Sequence, residues 1–220
     1  MRARALLCVP LLVLAAGMAR AEDATTTPAP AKPAGTHAKA RHATTPAKLT
    51  MDPKAMEEMM AKMATPGPNH ERFKKMEGNW DAVVKWFMDP SQPAQESASS
   101  SVFRTVMDGR YLQEEVTGTM MGKPFSGMGL TGYDNVLKKY VGSWIDNVGT
   151  GIMTSTGVPD AAGDAIHWTG QSSDPTTGKA AHFRMEEKFP DENHMTYEMY
   201  SKPPSGKEVK VMSIEYTRKM

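Results

Sequence analysis

The sequence is short of cysteine, of long hydrophobic runs and of any surplus of positive charge. Its one cysteine, Cys8, lies in an apolar run from Ala5 to Ala16. That run is too short to span a bilayer, which takes about 20 residues. With a basic start before it and Ala-Arg-Ala at residues 19–21 after it, the run has the pattern of a secretory signal. We therefore expect residues 1–21 to be a signal peptide that sends the protein to the bacterial periplasm.

Cleavage after residue 21 leaves a chain without cysteine, which excludes disulfide bonds, a cysteine nucleophile and thiolate metal ligands. It also removes three arginines from the 26 basic residues and no acidic residue, so 23 basic residues remain against 25 acidic ones. Proteins that bind phosphate backbones need a basic surplus. The mature chain is therefore not expected to bind nucleic acid.

The sequence also lacks the local motifs of common enzymes and metal sites. It contains no Gly-x-Ser-x-Gly turn, no His-Glu-x-x-His, no closely spaced histidine pair and no Asp-x-Asp cluster. These motifs therefore give no catalytic residue, no metal ligand and no cofactor.

The region before residue 66 divides into two parts. Residues 22–50 are rich in alanine, proline and threonine, have no aromatic residue, and are expected to form a disordered linker. Residues 51–65 are predicted to form an amphipathic helix that places four methionines on one face, Met56, Met59, Met60 and Met63. This face is interpreted either as an adaptable apolar cap for the following domain or as a Cu(I) site, because thioethers select soft metals.

Residues 66–220 read as one all-β domain. Pro66 to His70 are predicted to turn the chain, and about ten short runs of strand-forming residues follow, separated by turn signals such as Asp108-Gly109. The runs alternate apolar and polar residues and contain no helical pattern. A meander of this length closes into a barrel or stacks as a sandwich to protect its edges. We predict an antiparallel up-and-down barrel.

Closure is favoured by a local motif at the start of the first strand. Gly78-Asn79-Trp80 resembles the G-x-W signature of lipocalins, in which the tryptophan plugs the closed end of the barrel under a basic residue of the last strand. Here the last strand ends in Arg218. If the first and last strands pair antiparallel, Arg218 lies beside Trp80, where a guanidinium can stack on the indole. Trp80 and Arg218 are therefore predicted to be structural.

A wider resemblance runs from about Pro66 to Lys219. It is carried by spaced elements in a fixed order, among them Pro66-Gly67-Pro68-Asn69-His70, Gly109-Arg110-Tyr111-Leu112, Gly132-Tyr133-Asp134-Asn135, Trp144-Ile145-Asp146 and Tyr216-Thr217-Arg218-Lys219. In these elements the chain resembles a bacterial family known as domain-of-unknown-function family 1579. The resemblance implies a lipocalin-like barrel in proteins that are often secreted. It implies no activity.

The candidate ligand-binding residues are polar or aromatic side chains of the predicted strands and turns: Trp144, Asp146, Arg184, Glu198, Tyr133 and His70. The strand residues among them either face a cavity, where they fix a ligand's orientation, or face solvent as the polar half of an alternating strand. Binding of a small, largely apolar molecule is the leading hypothesis. The alternatives are Cu(I) binding by the methionine helix, an enzyme that uses Asp146 or Glu198 as acid or base, and a structural module with a filled barrel.

Overall fold

The computed structural model of the protein describes residues 52–89, 91–202 and 206–220. Two helices, α1 (Pro53–Ala64) and α2 (Pro68–Met76), precede the strands. The strands are β1 (Gly78–Trp86), β2 (Gln95–Val106), β3 (Tyr111–Met120), β4 (Lys123–Asp134), β5 (Lys139–Asp146), β6 (Met153–Pro159), β7 (Ala165–Ser173), β8 (Ala180–Asp191), β9 (His194–Ser201) and β10 (Val209–Arg218). The predicted signal peptide (1–21) and linker (22–50) lie outside the described residues.

The ten strands form a closed antiparallel barrel in which each strand pairs with its neighbours in the sequence. β1 and β10 close the ring, in a register that runs from Trp80 opposite Arg218 to Trp86 opposite Met212. Closure leaves no unpaired strand edge in the sheet, which protects the barrel from association through its backbone. The predicted all-β barrel of about ten strands is confirmed.

Small residues on the inner surface of the wall make room for large aromatic side chains. Gly157 of β6 faces Trp168 of β7, and a Cβ atom on this glycine would lie 2.6 Å from the indole ring. Gly170 likewise faces Met185, whose methyl group would lie 2.9 Å from an added Cβ. The wall therefore alternates large and small inward residues, which lets the rings lie within the lumen.

The helix α2 covers one end of the barrel. Its Phe73 and Met76 are 1% and 6% exposed and join Trp80, Phe103 and Tyr140 in the hydrophobic core. From the sequence, only a turn was expected in this region, and α2 was not predicted. The helix begins at Pro68, which is preformed for a first helical position, and it spans nine residues, too few to give a clear periodic signal.

The helix α1 does not cap the barrel, contrary to one interpretation of its methionines. None of its residues is buried, and Met60 is 61% exposed. Its end is held by loop side chains: the Asn135 amide donates to the Met63 carbonyl at 3.1 Å, and Arg110 Nε donates to the Ala64 carbonyl at 3.1 Å. Within the described residues, neither helix has the length and apolar character that a membrane-crossing segment requires.

The end of the barrel opposite α2 is rimmed by apolar side chains that remain partly exposed. Trp86, Met212 and Met199 follow one another across β1, β10 and β9. On the other side of the rim, the rings of Phe125 and Trp144 stack at 6.5 Å between centroids. The barrel therefore has one end sealed by a helix and one end edged by adaptable apolar groups.

Candidate functional site

A cavity of about 60 Å³ lies in the lumen between the sealed end and the middle of the barrel. A space of this size holds several water molecules, since one water needs roughly 10–15 Å³ by the same measure. Its lining combines apolar and ionisable side chains: Arg72, Phe73, Met76, Phe103, Leu112, Glu114, Gly129, Thr131, Tyr140, Ile166, Trp168 and Glu187. The lumen is thus not entirely filled by its own side chains.

Glu114 is the first of two carboxyl groups in this cavity. It lies on β3 between the inward residues Leu112 and Val116, and its Oε1 accepts a hydrogen bond from the Tyr216 hydroxyl at 3.3 Å. Burial raises the pKa of Glu114 to about 7, although Ser101 and Tyr216 beside it oppose the shift. The Ser101 hydroxyl is itself buried and has no hydrogen-bond partner of normal geometry.

Glu187 is the second carboxyl group and reaches the cavity from β8. Its Oε2 accepts a hydrogen bond from Trp168 Nε1 at 3.2 Å. Burial raises the pKa of Glu187 to about 7, while the Trp168 hydrogen bond and the positive charge of Arg72 act in the opposite direction. At neutral pH each of the two groups can therefore either donate or accept a proton.

Arg72 brings a positive charge to the cavity from α2. One terminal nitrogen donates to the Gly163 carbonyl, and the guanidinium carbon lies 4.5 Å from the centre of the Phe189 ring. The other, Nη1, is buried and has no hydrogen-bond partner. Among the described residues, no lysine or arginine nitrogen lies within 4.0 Å of a carboxyl oxygen of Glu114 or Glu187.

Three tyrosines surround the two carboxyl groups. Burial is the largest cause of the raised pKa of Tyr140 (to about 12), and it also raises the pKa values of Tyr197 and Tyr216 above their ordinary range. The negative charges of Glu114 and Glu187 add to the shifts of Tyr197 and Tyr216. All three phenols stay protonated at neutral pH, so they are available as hydrogen-bond donors and acceptors.

Of the six predicted ligand residues, Trp144 and Asp146 lie together at the rim opposite α2. Trp144 Nε1 donates to Asp146 Oδ2 at 2.9 Å, and Asp146 Oδ1 accepts from the backbone of Val148 at 2.9 Å and Gly149 at 3.2 Å. Asp146 thus fixes the turn after β5 as well as the indole. The pair belongs to the rim and not to the lining of the cavity around Glu114.

Tyr133 and His70 come together at the sealed end. Their rings lie 5.8 Å apart at an interplanar angle of 80°. His70 is 5% exposed, and its Nδ1 accepts a hydrogen bond from the Gly67 backbone at 3.0 Å, which closes the first turn of α2. Burial lowers the pKa of His70, so the imidazole is neutral at physiological pH. His70 therefore holds the cap in place.

Arg184 and Glu198 were candidate ligand residues that could face either a cavity or solvent, and the structure places both on the outside of the barrel. Each lies between inward neighbours of its strand, so strand alternation turns it outward. Arg184 forms a two-pronged ion pair with Glu208, with nitrogen–oxygen distances of 2.7 and 3.0 Å. The ion pair between Glu198 and Lys210 lowers the pKa of Glu198. A buried acid of the kind the enzyme hypothesis requires is Glu114 or Glu187, not Glu198.

The two residues predicted to be structural are in contact at the sealed end. The guanidinium carbon of Arg218 lies 4.2 Å from the centre of a Trp80 ring, and Arg218 also donates to the backbone carbonyls of Lys75, Glu77 and Glu192. These bonds tie the last strand to the end of α2 and to the β8–β9 turn. Trp80 Nε1 in turn donates to the Met76 carbonyl at 2.9 Å.

Glu114 and Glu187 are not among the residues predicted from the sequence, although the sequence holds a signal for both. Each acid stands two residues from an apolar residue on either side, Leu112 and Val116 for Glu114, and Met185 and Phe189 for Glu187. On a strand, residues two apart share a face. An acid in the middle of an apolar face is unusual and marks a candidate site.

Comparisons with known proteins identify the family of the chain, and one solved structure supports the fold. A family model described as "Protein of unknown function (DUF1579)" matches residues 65–218. A search of curated proteins found no match. The crystal structure of Rv2717c from M. tuberculosis is similar, with a TM-score of 0.53 at 15% sequence identity, over 71% of this chain and 100% of that one. A redesigned β barrel aligns with a TM-score of 0.37 at 12% identity, over 67% of this chain and 95% of that one.

Proposed function

The chain belongs to this DUF1579 family, and we propose that it is a secreted protein of the periplasm that binds a small, largely apolar ligand inside its barrel. The observation that carries the proposal is the cavity, in which two carboxyl groups and one unpartnered guanidinium nitrogen interrupt an aromatic lining. A small number of polar groups in an apolar enclosure is the usual composition of a small-molecule site. The methionine and aromatic side chains at the rim opposite α2 are partly exposed, and such apolar groups are adaptable.

The proposal is tested by native mass spectrometry of the mature protein purified gently from the periplasm. We expect the mature chain to begin at residue 22 and to carry an additional organic mass. Replacing Gly129→Val narrows the cavity, because a Cβ there already lies 3.3 Å from Trp144 and 3.7 Å from Glu114. This variant should lose the bound species.

Gly151→Val is the matched control, since Gly151 lies in a loop and its nearest neighbour would be 3.8 Å from an added Cβ. It should keep the bound species. The proposal fails if the wild-type protein has a clean apo mass and also takes up no N-phenyl-1-naphthylamine, a fluorescent apolar probe. A protein that is recovered from the cytoplasm and still begins at residue 1 would contradict the proposed secretion.

Cu(I) binding by α1 is a second candidate function, and the exposure of its thioethers supports it. Met56, Met59, Met60 and Met63 are 42–61% exposed and occupy one helical face, where several sulfurs can reach one soft cation. Changing all four to leucine should abolish Cu(I) binding in an anaerobic competition titration with a chromogenic chelator. The control changes two exposed methionines elsewhere, Met107 and Met121. Equal affinity in both variants rules the site out.

A further inference from the structure

The cavity has a chemical bias beyond its apolar character. Its lining includes two carboxyl groups, Glu114 and Glu187, and one guanidinium, Arg72. When all three groups are ionised, the carboxyl groups outnumber the cation. A third acid, Asp146, lies at the rim opposite α2 and accepts a hydrogen bond from Trp144.

The positive group of the cavity is already engaged on two sides. Arg72 donates to the Gly163 carbonyl and stacks on the Phe189 ring, so only one of its terminal nitrogens is left without a partner. Within the described part of the chain, neither carboxyl group has a lysine or arginine nitrogen at bonding distance. The two carboxylates therefore lack a counter-ion there, and a bound cation beside them would stabilise the cavity more than an anion beside Arg72.

The apolar part of the lining suits a cation as well. The rings of Phe73, Phe103, Tyr140 and Trp168 all border the cavity. The faces of aromatic rings carry negative potential and attract organic cations, most strongly where water is excluded. Carboxyl groups combined with aromatic walls are the arrangement that recognises ammonium groups.

We propose that the ligand of the lumen carries a cationic nitrogen, a protonated amine, which Glu114 and Glu187 hold against the aromatic lining. This inference rests on the proposed lumen-binding function and names the class of ligand. The chemistry requires no covalent step: the ammonium donates hydrogen bonds to the carboxylates.

Such a ligand makes binding depend on pH. A buried cation is bound best when the carboxyl groups are ionised, and in the empty protein both titrate near neutrality. Binding should therefore release a proton and become tighter as the pH rises through about 7. The ionisable groups that face the pair come from six elements: Arg72 on α2, Tyr140 on β5, Tyr197 on β9, Tyr216 on β10, and each acid facing the other from β3 and β8.

The opposite ligand charge gives the opposite pH dependence. A carboxylate ligand would bond the free nitrogen of Arg72 and would need both Glu114 and Glu187 protonated, so it would bind more tightly at low pH. The affinity for an uncharged alcohol would change little with pH. The direction of the pH effect therefore identifies the charge of the preferred ligand.

The experiment compares three probes that share one short tail, chosen for a cavity of about 60 Å³: propylamine, propan-1-ol and propanoate. Isothermal titration calorimetry at pH 6, 7 and 8 measures their binding to the mature protein. Propylamine stays protonated over this range, as a lysine side chain does. We expect it to bind at least tenfold more tightly than the alcohol at pH 8. We also expect its affinity to rise at least tenfold from pH 6 to pH 8, since the ionisation of one group with a pKa near 7 supplies about tenfold and that of both about a hundredfold.

The variant pair is matched by position. Glu114→Gln with Glu187→Gln removes both charges but keeps the shape of the protonated acids, and it should abolish the preference for the amine and its pH dependence. Glu115→Gln with Glu186→Gln changes the outward neighbours on the same strands and should leave both unchanged. Because the pH series on the wild-type protein needs no substitution, the test does not depend on the variants folding.

The outcomes separate the two proposals. If the alcohol or propanoate binds as tightly as the amine, or if the affinity for the amine does not change with pH, the cationic ligand is excluded while lumen binding stands. If none of the three probes binds, the inference fails together with the proposed function.

Discussion

At the scale of single residues, the barrel is marked by two acids placed where charge is costly. Glu114 and Glu187 lie in the lumen among apolar side chains. Glu114 accepts a hydrogen bond from the Tyr216 hydroxyl, and Glu187 accepts one from the indole N–H of Trp168. One neutral donor does not replace the water that an ionised carboxylate loses on burial. The folded protein therefore favours the protonated forms, which is the physical meaning of their raised pKa values.

This placement predicts that the folded protein loses stability as the pH rises. The two pKa values are about 7 in the folded state against an ordinary value of 4.5, so the folded state binds more protons than the unfolded chain between these values. The stabilising contribution is fully present below pH 4.5 and is lost as the pH rises through 7. For one isolated group a shift of this size corresponds to about 3 kcal/mol. Urea unfolding at pH 5 and pH 8.5 measures the loss.

Glu114→Gln should remove part of this dependence, because glutamine stays neutral at both pH values. We expect the free energy of unfolding at pH 8.5 to rise by about 2 kcal/mol relative to wild type, and to change little at pH 5. Glu115→Gln, on the outer face of the same strand, is the control. A wild-type protein whose stability is the same at pH 5 and pH 8.5 would show that the two carboxyl groups are not held in their neutral forms.

The residue scale is also where the sequence predicted least. Which face of a strand is inward depends on a register that several strands fix together, and a shift of one residue exchanges the faces. Arg184 and Glu198 were plausible cavity residues until their apolar neighbours were seen to occupy the inner surface. Trp80 and Arg218 could be placed together because their positions at the two ends of the sheet depend only on its closure.

At the scale of elements, the two helices have opposite roles. The helix α2 buries Phe73 and Met76 against the barrel, whereas α1 buries none of its residues. The sequence drew attention to α1, since its four methionines at helical spacing form the clearer pattern. The strands were predictable for the same reason: alternation and turn residues repeat ten times, so the loss of one signal does not hide the rest.

A matched pair of methionine substitutions tests this difference between the helices. Met76 is 6% exposed in α2 and Met60 is 61% exposed in α1. Met76→Ala should lower the free energy of unfolding by about 2–4 kcal/mol, since it leaves a cavity under the cap. Met60→Ala should change it by less than about 0.5 kcal/mol. Chemical denaturation followed by tryptophan fluorescence gives both values, and equal losses in the two variants would show that α1 is packed against the barrel.

At the scale of the whole molecule, stability depends on a contact between the two ends of the domain. β1 has β2 on one side and β10 on the other, so the ring exists only once residues near 80 and near 218 have met. Contacts between residues this distant in sequence form late in folding. They stabilise the fold only after the chain between them has been ordered. The bonds of Arg218 to carbonyls of Lys75 and Glu77 then attach the cap to the closing strand.

Removal of the closing strand should therefore do far more damage than removal of the longer segment that precedes residue 65. A chain that stops at residue 206 loses β10, exposes the edges of β1 and β9, and leaves Trp80 without its guanidinium cover. We expect this chain to lose its near-ultraviolet circular dichroism and to aggregate.

A chain that begins at Thr65 loses α1, which has no buried residue, and should keep both its spectrum and its unfolding midpoint. Deletion of Met220 alone, a fully exposed residue, is the control for cutting the C-terminus. If the chain without β10 stays monomeric with a native spectrum, the nine remaining strands close by themselves, and the first and last strands are not the joint that holds the barrel.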